Sequence, residues 1–121
     1  MILVDTSIWI DHGRRRYEPL AAWLTEGLVL GHPFVQGELA CGQMPRQGEV
    51  LALFEQLPAA AVVGHHEMLQ FVDHHRLMGQ GLGWIDLHLL ASALVSHATL
   101  ATHDARLARA ARDLGIAAGS C

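Results

Sequence analysis

Lysine is absent from this 121-residue chain; all eight basic side chains are arginine. Its absence excludes a Walker A phosphate loop and a Schiff-base mechanism, both of which need that amine. It also removes support for aspartyl phosphotransfer folds that clamp phosphate with a lysine. Cysteine is scarce. With only Cys41 and Cys121, no disulfide framework is expected; Cys41 reads as a small buried residue and Cys121 as a terminal thiol. No apolar run approaches the roughly twenty residues that span a bilayer, so no membrane partner is expected. The opening Met-Ile-Leu-Val-Asp lacks the basic flank and cleavage site of a signal peptide, and the cytoplasm is the expected compartment. Positive charge is in deficit too. A formal net charge of −4 argues against broad, charge-driven nucleic-acid binding. It leaves room for a cleft whose sign is reversed by bound metal or local arginines.

What the chain does contain is a globular composition, 51% hydrophobic and 17% charged, with a length that suits one domain over residues 1–121. Short apolar blocks read as strands at residues 2–4, 28–30, 61–63, 99–101 and 116–118. Helical patterns fill residues 6–12, 19–26, 33–42, 47–57, 65–78, 85–97 and 104–114. Pro19 and Pro33 suit first helical turns, Gly27 a helix stop, and Gly13 with Arg14, Arg15 and Arg16 a basic connection. Gly79, Gly81 and Gly83 mark the clearest loop. Alternating strands and helices predict an α/β domain with a mostly parallel sheet of four to five strands.

Four acids stand out against that pattern. Asp5 closes the strand Ile2-Leu3-Val4, and Asp104 follows Thr99-Leu100-Ala101-Thr102-His103. Asp86 precedes the largely apolar segment 87–95, and Glu38 lies about one and a half turns into its helix. Ligands of open α/β sheets collect beyond the carboxyl ends of the strands, where Asp5 and Asp104 both emerge. Carboxylates near an apolar core need a cation, a donor or a proton, and several together suit a hard divalent metal. Taken singly, Asp5, Asp86 and Asp104 are also plausible helix caps, and Glu38 a solvated face residue.

These residues, in this order and spacing, make the chain resemble the PIN domain family, and within it the VapC-type toxin ribonucleases. The resemblance is carried by Leu3-Val4-Asp5-Thr6-Ser7-Ile8-Trp9-Ile10-Asp11, Glu38-Leu39-Ala40-Cys41-Gly42, Asp86-Leu87-His88-Leu89-Leu90-Ala91 and Leu100-Ala101-Thr102-His103-Asp104. Each segment alone is weak; their succession over nearly the whole chain is specific. The resemblance implies a three-layer α/β/α fold and an Mg²⁺- or Mn²⁺-dependent endoribonuclease acting as the toxin of a type II toxin–antitoxin pair. It implies Asp5, Glu38, Asp86 and Asp104 as the metal-site acids, with Thr6 or Ser7, and Thr102, as supporting hydroxyls; these hydroxyls are equally helix-cap candidates, Ser7 above all. RNA substrate, a cognate antitoxin and a homodimer follow as expected partners. His103 departs from the usual family residue. Hydrolysis of this kind leaves a 5′-phosphate and a 3′-hydroxyl.

Two rival readings remain at this point. A metal-independent histidine ribonuclease would use imidazole proton transfer and leave a cyclic phosphate, and the chain has nine histidines. His65-His66 and His74-His75 form separate pairs, however, and His66-Glu67-Met68-Leu69-Gln70 ends the zinc-helix pattern in glutamine. The second rival is a PIN-like binding module without catalysis. Arg14 to Arg16, and Arg106, Arg109 and Arg112, are either solvated or phosphate-contacting. Trp84 reads as core ahead of base stacking. Trp9 and Trp23 are core or partner-contact candidates, their apolar helix faces suiting an antitoxin helix.

Overall fold

A computed structural model of the chain describes residues 1–118; Cys121 lies outside the described residues. The sheet is built from β1 (Ile2–Val4), β2 (Val29–Leu30) and β3 (Thr99–Ala101), in the order β2-β1-β3. Both pairings are parallel, with Leu3 opposite Leu30 and Leu100. Successive strand side chains point to opposite faces, yet Leu3 and Val4 are both buried, as are Leu100 and Ala101. Helices therefore cover the sheet on both sides, giving the three-layer α/β/α arrangement.

The helices are α1 (Thr6–Arg14), α2 (Glu18–Thr25), α3 (Pro33–Cys41), α4 (Gln47–Glu55), α5 (His65–His74), α6 (Trp84–Val95) and α7 (Ala105–Asp113). α1 packs on α3 and α3 on α4, while α6 lies against β1 and β3. α6 is the central helix: Leu87 to Ala93 are all buried. Trp9 fills the core beneath α1, its ring 5.4 Å from that of Phe54.

Several boundaries differ from expectation for identifiable reasons. The strand expected at 61–63 is a single parallel bridge two residues earlier, Gly31 to Ala59, and the strand expected at 116–118 is one bridge from Leu100 to Ala117. The sheet thus has three strands among the described residues. Its outer positions are held by isolated backbone bonds such as Ala60 N–H to Gly31 O and Leu100 N–H to Ile116 O. Gly13 does not stop α1: it is buried inside the helix, and a Cβ there would overlap Met44 Cε. α5 ends at His74 instead of 78 because Arg76 turns left-handed, at φ 52°. Cys41, expected to be buried, is exposed. Trp84 is 41% exposed instead of core. Trp9 is fully buried, which removes it as a partner contact, while Trp23 is partly buried against the core.

Candidate functional site

The parallel sheet delivers its acids as expected. Asp5 leaves β1 and Asp104 follows β3 by three residues; because these strands are adjacent and parallel, both chains emerge at one edge. Asp5 N–H still bonds to Ala101 O at 2.9 Å, extending the ladder to the site. Asp5 is buried, but its side chain does not cap α1. Its Oδ2 instead accepts from Ser7 Oγ at 2.9 Å and Thr102 Oγ1 at 2.7 Å. Ser7 Oγ in turn accepts from His103 N–H, and Thr102 Oγ1 from Asp104 N–H, each at 3.0 Å. The two hydroxyls thus tie the end of β1 to the chain leaving β3.

Glu38 and Asp86 arrive on helices. Glu38 is exposed on α3, where its Oε1 accepts from Thr6 Oγ1 at 2.7 Å, linking α3 to the start of α1. Asp86 sits in the first turn of α6 and accepts from Gly83 N–H at 3.1 Å through Oδ2. Asp104 caps α7, its Oδ1 accepting from Arg106 N–H and Leu107 N–H at 2.9 and 3.0 Å. The capping alternative therefore holds for Asp104 and Asp86, but not for Asp5.

A common pattern runs through the four. Each carboxylate commits one oxygen to hydrogen bonds, and among the described residues the other oxygen has no protein partner. None of the four joins a salt bridge among the described residues; the arginines that do pair, Arg15, Arg16 and Arg46, pair with Asp11, Glu18 and Glu49. Asp86 registers the consequence. Burial pushes its carboxyl above the usual carboxylate range, and the negative charges of Asp5, Asp104 and Glu38 push the same way, against the Gly83 amide.

Whether such a set suits a divalent cation can be judged from its donors. Among the described residues, no three histidine, cysteine, aspartate or glutamate side chains form a ready-made cage. Mg²⁺ does not demand one: it keeps several waters and takes one or two carboxylates directly. Four hard oxygens without protein partners, concentrated negative charge and no paired arginine fit that ion.

The sites beside the acids complete the picture. A groove of about 720 Å³ runs between α3 and the start of α6, lined by Phe34, Glu38, Cys41, Trp84 and Ile85 among others. His65, His66, His74 and His75 are all exposed on or beside α5 and form no metal cluster among the described residues. Sequence reasoning missed His32. It is fully buried at the start of α3, where Nδ1 accepts from Phe34 N–H at 3.1 Å and Nε2 faces Ser92 Oγ at 3.0 Å. The acceptor role of Nδ1 puts the ring proton on Nε2, so Nε2 donates to Ser92. The only signal was a side chain able to accept at an N-cap, directly before Pro33. Reasoning also missed that His103 acts through its backbone amide on Ser7, while its ring faces Asp11 at 3.3 Å.

With these features in place, the family follows. The family model for the PIN domain matches residues 2–113, and the chain belongs to the PIN domain family. It is 44% identical over 118 residues to Ribonuclease VapC32 of Mycobacterium tuberculosis, covering 97% of this chain and 95% of that protein, with the same values in two strains. No solved structure is a significant match. Among the described residues, no helix is long and apolar enough to cross a membrane.

Proposed function

We propose that this chain, as a single PIN domain over residues 1–121, is a divalent-metal-dependent endoribonuclease and the toxin of a type II toxin–antitoxin pair. The observation that carries the proposal is the set of four acids in which Asp86 feels the charge of the other three, with no arginine in a salt bridge to any of them among the described residues. The identity to Ribonuclease VapC32 supports RNA as the substrate and a toxin role.

Asp5, Glu38, Asp86 and Asp104 are the residues that would hold Mg²⁺ or Mn²⁺. When bound, such an ion supplies an activated water and stabilises charge building on phosphoryl and leaving oxygens. The chain's own contribution is orientation. Ser7 and Thr102 hold the Asp5 carboxylate, Thr6 holds Glu38, and the Gly83 amide holds Asp86. Fixing ligands in this way avoids reorganisation at the moment of reaction. The cytoplasm is the proposed compartment, with a cognate antitoxin and a homodimer as proposed assemblies.

Cleavage of mixed RNA with Mg²⁺ present and after chelation tests the reading. The expected result is Mg²⁺-dependent cleavage with 5′-phosphate and 3′-hydroxyl ends, abolished by Asp5→Asn. Full activity without metal, with cyclic phosphate ends, would contradict it in favour of histidine chemistry. Cleavage of no RNA, with tight partner binding that survives loss of the acids, would point to a binding module.

A further inference from the structure

Arg106 and Arg109 are placed in a way the cleavage site leaves unexplained. They lie three residues apart on α7, one face of the helix, and with Gln80 and Asp113 they line a cleft of about 420 Å³. Neither arginine joins a salt bridge among the described residues. Asp113, in the same cleft, does not neutralise them by direct pairing. The wall opposite α7 is ordered. Gln80 Nε2 donates to Arg76 O at 2.9 Å. Gly81 adopts φ +76°, and a Cβ there would stand 2.8 Å from Arg106 Nη1 and 3.1 Å from Arg106 Cδ. Loop backbone thus rests close against the Arg106 side chain, and the positive φ at residue 81 is one that glycine adopts without strain.

The position relative to the acids gives the cleft its chemistry. Arg106 follows Asp104 by two residues, and Arg109 lies about 7 to 8 Å from Asp104 along the helix axis. A chain of net charge −4 with four acids at its candidate site repels RNA, so a strand approaching those acids needs positive charge beside them. Guanidinium forks suit phosphate oxygens.

We infer that the cleft between residues 80–81 and α7 is a phosphate-binding track for single-stranded RNA, in which Arg106 and Arg109 hold backbone phosphates flanking the cleaved one. This rests on the ribonuclease reading, and names where that reading's substrate is gripped. Phosphate contacts position a strand without reading its sequence, so the track governs affinity and register and leaves base preference to other residues.

The test measures binding of short single-stranded RNAs of different sequence by the full-length Asp86→Asn chain, a background that does not cleave. Fluorescence anisotropy is followed over a sodium chloride series at fixed Mg²⁺. Arg106→Gln with Arg109→Gln should weaken binding about tenfold or more at low salt, equally for every sequence. It should also flatten the slope of log affinity against log salt by about 1.4, from ~0.7 per lost phosphate contact. Asp113→Asn should shift affinity the opposite way, which a merely structural role would not produce. Circular dichroism should be unchanged, since both arginines are exposed. RNA binding in the Asp86→Asn background that is indifferent to both arginines would overturn the track and leave the ribonuclease reading standing. Unaltered RNA binding, with polyglutamate binding lost in the double variant, would overturn it in favour of an acidic protein surface. No RNA binding by the background at all, alongside an inert parent enzyme, would overturn both.

Discussion

Two polar clusters lie in or against the apolar interior, and the fold treats them in opposite ways. The His32–Ser92 pair is complete: both ring nitrogens have partners, and burial, with the nearby His88, lowers the His32 pKa to about 4, so the ring is neutral. The acid set is incomplete: among the described residues each carboxylate keeps one oxygen without a protein partner, and no arginine forms a salt bridge with any of the four. Incompleteness alone is not diagnostic, because Trp9 Nε1 and His88 Nδ1 are also buried without a partner among the described residues. Charge makes the difference. Trp9 and His88 are neutral and isolated, whereas three like charges disfavour ionisation of Asp86 although Glu38 and Asp104 are exposed to solvent. Polarity completed within the chain serves the fold, while clustered charge left unanswered marks a place for something else to bind.

The largest effect that sharpens this contrast is expected at Asp5. Asp5→Asn retains an oxygen that can accept from Ser7 and Thr102, so the melting temperature should change little. Cleavage should fall by more than about 100-fold, the upper range for residues that only orient metal ligands. Thr102→Val, which removes one donor to Asp5, should cost about 10- to 100-fold in activity or metal affinity, with the same products.

At His32 the effect should appear in stability instead. His32→Ala leaves Ser92 and the Phe34 amide without partners and opens a cavity. The expected loss is about 3 kcal/mol in denaturant unfolding, with cleavage retained under conditions where the variant is folded. The pH dependence has a definite sign. The unfolded ring titrates near 6.5 and the folded ring near 4, so between these values the unfolded chain binds more protons. Stability should therefore fall as pH drops from 6.5 to 4, by up to about 3 kcal/mol from this group. His32→Gln should remove that part of the slope.

A more modest effect on stability is expected at Asp86. Burial and three like charges disfavour its ionised form, so Asp86→Asn should raise the melting temperature of the metal-free chain by a few degrees at neutral pH. Asparagine can still accept from the Gly83 amide. The gain should shrink as pH falls and the native Asp86 takes up its proton. Unchanged or reduced stability at neutral pH would show that the four acids do not strain one another.

Much of this was legible in the sequence, for physical reasons that differ by residue. Asp5 and Asp104 could be placed because strand ends are sharp where an apolar block meets a charge, and parallel neighbours send such ends to one edge. Glu38 and Asp86 were harder, since only the succession of four segments argued against a solvated face or a simple cap. Outer strands could not be told from single bridges, because residues 59–63 and 116–118 are short apolar pieces whose pairing depends on what lies beside them. Helix position misled at Trp84, which opens α6 at the rim of a groove instead of in the core, while Trp9, a core or partner-contact candidate, is fully buried. The His32–Ser92 bond joins residues sixty apart in sequence and left no local periodicity to find.

Mn²⁺ titration of the metal-free chain, with free ion followed by electron paramagnetic resonance, tests the central claim most directly. Saturable binding that Mg²⁺ displaces is expected, severely weakened by Asp5→Asn and by Asp86→Asn and left intact by His32→Gln. Absence of saturable binding, or binding indifferent to the loss of those carboxylates, would contradict it.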